Sequence, residues 1–445
     1  MEKILILDLY PDLNYRISKD TSGGYGTGND FGSTKIIPRV LKYLIKKNSD
    51  WPPMFAAYTY ASLKKRKYDV VFLNYIPKDF NEFDLIIFTS SIAACNFEKK
   101  KIDFLSQFDK PIFVIGPFAS NNPEFYKQKN VTIVKGQPEF YFLKADFFKD
   151  IFKSQTDEYF LENLDELPFI NWPEISKPKN INNLFGHGRS IPILATRGCP
   201  YSCFKYCVYP LQQGRKVNQR SIENIISEIQ FNIDNYGVKT FIFRDPVFSI
   251  KRDHTIEFCK KVIEKKLKFN FVIETHLRIL DSELLNYLKK SGLVGVKVGV
   301  ESFDTELLKK EGRFTVSRDD QFEKIKEIKS KNIAISAMYI IGFPSDNQKS
   351  MEKTLNYAIK LNTTYAQFSI WTPYPSTPVF KDFKDKIMTK NFENFTQYHL
   401  VYKHDILDEK TVKSFLENCY QKYYFRLEWF IKYMIGYIKI FNLKT

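Results

Sequence analysis

Three cysteines, Cys199, Cys203 and Cys207, fall within nine residues of a 445-residue chain that has six in all. Cys95, Cys259 and Cys419 stand alone. So few cysteines do not make a disulfide scaffold, and in a reducing compartment such a cluster points to metal or redox chemistry. Three thiolates on one short loop can bind three corners of a cubane iron–sulfur cluster and leave the fourth iron without a protein ligand. That open iron is free to take a substrate or cofactor. A structural zinc site needs four ligands, and no fourth Cys or His lies nearby in sequence. Only Cys259 or His187, brought in by the fold, would complete one.

The elements that must position this loop follow from the apolar pattern. Before residue 145, the runs Lys3–Tyr10, Asp69–Tyr75, Asp84–Ser90, Pro111–Gly116 and Val131–Gly136 have the length of buried parallel strands. Pro53–Lys67 reads as a helix with Pro in its first turn and a basic end. Between the first strand and that helix lies Ser22–Gly32, with five glycines. It is expected at a strand's carboxyl end, where such sheets bind ligands. Its glycines would cradle a phosphate or let a flat cofactor approach the backbone.

Residues 146–189 are polar and broken by Pro168, Pro173 and Pro178, as a linker or strap would be. From Ser190 a strand–helix pattern repeats six times, with strands expected at 191–196, 239–244, 269–275, 294–301, 333–341 and 365–372. The cysteine loop directly follows the first of them. The fold class expected is α/β: a doubly wound (Rossmann-like) parallel sheet over 1–145, then a partial (β/α)6 TIM-type barrel over 190–380. A helical extension over 381–445 ends the chain. Every functional loop then lies at the carboxyl edge of its strand.

Composition narrows the class. The chain is about three times a typical domain, 44% hydrophobic and 16% aromatic, so it is globular and multidomain. No run of about eighteen uncharged apolar residues appears, and the N-terminus reads as a strand rather than a signal peptide. A cytoplasmic protein is expected. The net charge of +16 comes mainly from dispersed lysines. With no Arg-rich tract, nucleic acid is not the expected partner, and an anionic small-molecule substrate would suit the charge. The tail Asp408–Thr445 is aromatic and basic. Packing on the barrel is its expected role, with peripheral membrane contact the alternative.

The segment Arg197-Gly-Cys-Pro-Tyr-Ser-Cys-Phe-Lys-Tyr-Cys-Val-Tyr-Pro210 resembles the loop of the radical S-adenosylmethionine (SAM) enzymes, including Tyr206 before the last cysteine. The family's usual spacing is CxxxCxxC, and here one more residue gives CxxxCxxxC. The resemblance implies a [4Fe–4S] cluster on Cys199, Cys203 and Cys207, with SAM on the open iron. It extends to successive strand ends. Phe243–Phe248 places Asp245 where the family contacts the SAM amino end, and Glu274–Arg278 carries His276 and Arg278. Val298–Ser302 is similar to the SAM-contacting GxE stretch, with Glu301. Ile341–Pro344 resembles the adenine-side turn, with Gly342. Thr372–Pro378 resembles a TPYPGTP motif, with Pro373 in it and Ser376 where glycine is usual.

An α/β sheet ahead of such a barrel resembles the cobalamin-binding subgroup, and Gly136-Gln-Pro-Glu139 looks like its GE-x-E turn. That implies cobalamin, although no DxHxxG cobalt-ligand motif is present and no histidine precedes His187. The implied reaction is reductive cleavage of SAM, with an electron donor such as flavodoxin or ferredoxin, and cobalamin-dependent methylation of an unactivated carbon. A cobalamin-free radical enzyme for hydrogen abstraction or rearrangement is the second reading. A non-catalytic Fe–S or zinc protein on RNA or a membrane surface is the third.

Overall fold

A computed structural model describes residues 2–45, 51–160, 162–176, 190–429 and 431. Pro178, His187, Lys432 and Lys439 lie outside these. Two parallel sheets carry the architecture. The first holds β1 (Lys3–Leu7), β2 (Asp69–Leu73), β3 (Leu85–Thr89), β4 (Ile112–Ile115) and β5 (Val131–Ile133) in the order β2-β1-β3-β4-β5. Helix α1 (Ile36–Leu44) and the buried α2 (Met54–Lys65) precede β2, and α3 (Cys95–Leu105) follows β3. All residues of β3 and β4 are buried, as their uninterrupted apolar runs require between two helical layers.

The second sheet runs in chain order: β6 (Ser190–Ile193), β7 (Thr240–Phe243), β8 (Asn270–Thr275), β9 (Leu293–Glu301), β10 (Ala334–Ile341) and β11 (Tyr365–Ile370). Every neighbouring pair is parallel. The connecting helices are α4 (Ile222–Tyr236), α5 (Arg252–Glu264), α6 (Ser282–Lys290), α7 (Arg318–Ser330) and α8 (Gln348–Leu361). Four of them begin where a side chain accepts a backbone N–H: Ser221, Asp281, Ser317 and Asn347. Each such cap contributes about 1 kcal/mol and sets where its helix starts. Among the described residues the six strands do not close, and β6 and β11 are the edges.

Helix α9 (Glu409–Tyr424) covers the β11 edge. Tyr420 Oη accepts from the Phe368 amide (3.0 Å) and donates to its carbonyl (2.7 Å). One turn on, Tyr424 Oη does the same for Ala366, at 3.0 and 2.8 Å, and Tyr423 donates to Thr363. Tyrosines spaced i, i+4 thus meet alternate strand residues and replace the missing ladder partner. The packing role expected of the tail holds through Tyr424. Tyr420→Phe and Tyr424→Phe should each cost roughly 1–3 kcal/mol in urea unfolding, because each strands a buried amide and carbonyl.

Candidate functional site

The cysteine loop leaves β6 through a small hairpin in which Thr196 and Arg197 pair antiparallel with Gln219 and Asn218. Gly198 starts the turn at φ +94°, and a Cβ there would overlap the Lys216 carbonyl. The Cys199 amide donates to Gly214 O at 3.1 Å, and Arg215 donates to Pro200 O. The spacing between the last two cysteines has a geometric answer. Residues Ser202–Lys205 form a 3-10 turn, and the Cys207 amide reaches back to Cys203 O (3.1 Å). That i→i+4 closure sets both cysteines on one side of a single helical turn, so the extra residue is absorbed as a wider turn.

Burial pushes the Cys199 thiol up to about 11, and raises those of Cys203 and Cys207 as well. Binding a metal must displace those protons. Among the described residues no three His, Cys, Asp or Glu side chains gather tightly enough for one metal ion. A four-iron cluster separates its ligands more widely than a single ion does. Cys259 does not complete a zinc site: it lies on α5 with its thiol against Ser291, at the opposite end of the barrel. His187, the other residue named for a zinc site, lies outside the described residues.

The six loops expected to carry the site all lie at the carboxyl edges of their strands, but several side chains are engaged differently. Asp245 is fully buried, and its carboxylate accepts the backbone amides of Ala195 (3.1 Å) and Thr196. It anchors the start of the cysteine loop, which corrects its expected place at the SAM ammonium. His276 is corrected too. Its Nε2 donates to Phe314 O (2.8 Å) while Nδ1 accepts the Arg278 amide (3.2 Å), so neither nitrogen is left for a ligand. Burial, then Arg313, lowers its pKa to about 4, which keeps the ring neutral. Arg278 is exposed, its guanidinium 5.1 Å above the Phe314 ring.

Glu301 ends β9 at a register shift, with φ +65°, a conformation costly for a residue with a side chain. Its carboxylate pairs with Arg313 at 2.8 Å, and Arg313 also donates to Gly299 O (3.1 Å) and hydrogen-bonds Cys203. A Cβ at Gly299 would push against both head groups and displace the pair. Tyr206 stands edge-on to Phe343, and its hydroxyl is buried without a hydrogen-bond partner, facing Arg313 and Glu301. Gly342 (φ +69°) and Phe343 are held by Tyr402 and His404, which bond their carbonyls at 2.9 Å each. Pro373 is buried at the end of β11. Ser376 adopts φ +69°, the conformation for which the family motif's glycine is suited, and its hydroxyl donates to Asn121 O (2.9 Å).

Sequence reasoning missed Arg313 and Lys297, because neither belongs to a spaced motif. A lysine alternating into an otherwise apolar strand was the available signal for Lys297. It lies within β9, and burial, then Arg244, lowers its pKa to about 8. Glu274, Asp20 and Arg16 also face it.

The two sheets meet at this loop. Arg197, 5% exposed, pairs with Glu139 and donates to Gln137 Oε1 (2.9 Å). Arg244 binds Asp20 through Nε (2.7 Å). The glycine-rich segment lies in the seam: Gly23 abuts Tyr209, Gly24 abuts Gln212 and Pro117, and Tyr25 packs edge-on against Phe118 and Tyr374. At the switch point between β1 and β3, the chain inserts Lys19. Its ammonium lies 3.2 Å from Asp8 and 2.9 Å from Glu98, with no exposed surface. Burial opposes that charge, but Glu98 and Asp8 outweigh it and raise the Lys19 pKa. The cavity between Asp20, Gly24, Arg197, Tyr209 and Arg244 leaves room for only ≈ 20 Å³. Drug-sized ligands occupy about 300–1,000 Å³, and a corrinoid is larger. In this arrangement that cavity does not take a corrinoid.

Comparisons with known proteins agree with this layout. Residues 193–358 match the Radical SAM superfamily. The bacteriochlorophyllide d C-12(1)-methyltransferase of Chlorobaculum tepidum is 24% identical over 367 residues, covering 80% of this chain and 79% of that protein. An uncharacterised methyltransferase of Pyrococcus horikoshii is 23% identical over 416 residues, covering 86% and 89%. The solved structure of the radical SAM methyltransferase TsrM from Kitasatospora setae, with cobalamin and a [4Fe–4S] cluster bound, superposes with a TM-score of 0.60. It shares 14% identity and covers 86% of this chain and 78% of that one.

Two outcomes test the site's construction. Gly198→Ala should fold but lose most of its iron on anaerobic reconstitution, measured as iron per chain. Lys297→Met should stabilise the protein at neutral pH by roughly 1–3 kcal/mol. The folded pKa lies below the unfolded value, so the fold bears the full cost of burying the charge below pH 8. That cost shrinks as pH rises from about 8 to about 10.5, and unfolding at pH 7 and pH 10 measures the difference.

Proposed function

We propose that this chain, a radical SAM enzyme whose family domain spans residues 193–358, holds a [4Fe–4S] cluster on Cys199, Cys203 and Cys207 and uses SAM to methylate an unactivated carbon. The observation that carries this reading is the loop itself: three cysteines at the barrel's carboxyl edge, two on one helical turn, beside the Arg313–Glu301 pair. The chemistry a bound cluster supplies is one-electron cleavage of SAM to methionine and a 5′-deoxyadenosyl radical, the electron coming from a donor such as flavodoxin or ferredoxin.

The chain's own residues bind and orient. Arg313 and Glu301 offer opposite charges suited to the carboxylate and ammonium of SAM, with the Tyr206 hydroxyl as a further donor. The turn at Gly342 and the buried Pro373 wall the adenine side. Asp245 and Arg197 hold the loop's base, and a 1 Å error there would cost much of the rate. Arg278, exposed at the rim, suits an anionic substrate. Lys297 and Glu274, facing each other within the barrel, would hold protons near it.

Methyl transfer rests on the named activities of the relatives, and a role for cobalamin rests on the solved neighbour that binds it. One observation favours the cobalamin-free reading instead: Lys19 fills the switch point, and the seam encloses only a small cavity. Cobalamin content after anaerobic purification separates the two. For the shared core, the reconstituted and reduced protein should give a cubane electron paramagnetic resonance signal that shifts on adding SAM. Ala at any one of the three cysteines should abolish SAM cleavage. A cluster signal unmoved by SAM would overturn the proposal.

A further inference from the structure

Exposure alternates along the strands of the barrel. Val296, Val298 and Val300 of β9, Ala337, Tyr339 and Ile341 of β10, and Ala366, Phe368 and Ile370 of β11 are at most 2% exposed. They share one core with Leu284, Ile325 and Leu355 of the surrounding helices. The residues between them, Lys297, Gly299, Met338, Ile340 and Gln367, are partly exposed. Side chains alternate between the two faces of a strand. The helix-covered face is therefore sealed, and the concave face opens on a space that water reaches.

Lys297 brings a charge to that face. It stands in register with Glu274 of β8, yet its ammonium makes no hydrogen bond or ion pair among the described residues. Arg244 is taken by Asp20 (2.7 Å), and Glu274 accepts the Tyr209 hydroxyl (3.4 Å). Gly295 and Gly299 flank the lysine on its own face of β9, so no side chain stands above or below it on that strand. An ammonium drawn out of water without a counter-charge is costly. One kept beside an open space is the kind of group that a bound ligand compensates.

We propose that Lys297 binds the acid group of the substrate, and that the substrate is a small organic acid whose apolar part lies against Met338 and Ile340. This rests on the SAM-dependent methylation proposed above and names its substrate class. Gly299, where Arg313 and Glu301 meet, lies two residues further along β9, about 7 Å on. Met338 is in register with Gly299, and Ile340 is two residues nearer the carboxyl edge. The apolar wall thus runs from the anchor toward the cysteine loop, and an acid held on Lys297 extends its carbon chain toward the Arg313–Glu301 pair. Gln367, in register with Met338, adds an amide to the same wall.

The test is acetylation of Lys297 in the anaerobically reconstituted protein, read by mass spectrometry of its peptide. A pKa of about 8 leaves about half of its amine neutral at pH 8, so the residue reacts readily. Hexanoate and hexyl phosphate are the probes, and hexanamide is the uncharged control. At about ten times its half-saturating concentration, one of the two anions should slow the reaction about tenfold, and hexanamide should not. Hexanoate marks a carboxylate substrate and hexyl phosphate a phosphate ester. The protecting anion should also raise the thermal unfolding temperature. Lys297→Met should lose that rise and Lys297→Arg should retain it in part. No protection by either anion, equal protection by hexanamide, or protection by SAM in place of both overturns the proposal; in the last case Lys297 belongs to the cofactor. The footprint does not depend on SAM cleavage. A cluster signal unmoved by SAM overturns the methylation reading and leaves the protection standing, whereas a SAM response with Lys297 unprotected overturns this inference alone.

Discussion

Arg197 is buried where the two parallel sheets meet, and its pairing with Glu139 and Gln137 decides where the cysteine loop begins. Removing one partner of such a buried pair costs about 3–5 kcal/mol, because the other charge is left without compensation. The loop cannot be positioned by the barrel alone. Asp245 holds Ala195 and Thr196 from the barrel side, and Glu139 holds Arg197 from the sheet side. The residues between those two grips lie four to two places ahead of Cys199. Three thiols on a short loop can converge only if its base cannot shift.

The same seam sets what reaches the loop. Asp20 binds Arg244 and Tyr25 lies between Phe118 and Tyr374, so the segment from Asp20 to Tyr25 ties the first sheet to the barrel mouth at two places, the ends of β7 and β11. Its glycines serve close packing here: Gly23 and Gly24 leave no room for a Cβ against Tyr209 and Gln212. The buried Lys19–Asp8–Glu98 group occupies the place where open sheets of this strand order hold ligands. A chain that spends a lysine and two carboxylates there binds a ligand at that edge only by rearranging them.

Backbone strain gathers at the carboxyl edge of the barrel. Glu301 and Ser376 both adopt left-handed conformations, at the ends of β9 and β11. Arg313 compensates the first and the Asn121 carbonyl the second. Such conformations persist where the surroundings over-determine them, and both flank the loop that carries the cysteines.

Much of this was legible in the chain by itself. Eleven strands were placed within a few residues, because parallel strands buried on both faces read as short apolar runs. The cysteine loop was legible because its chemistry needs residue types that spacing alone reveals. The engagement of Asp245 and His276 was not, since a polar residue at a strand end looks the same whether it faces a ligand or a backbone amide. Arg313 and Lys19 were equally silent. Their partners lie 12 and 79 residues away at Glu301 and Glu98, and only folding brings those charges into one low-dielectric space. Local pattern determined the elements and the position of the cysteine loop. Long-range pairing decided which side chains remain free for chemistry, because burial makes every unpaired charge costly and so commits most of them to each other.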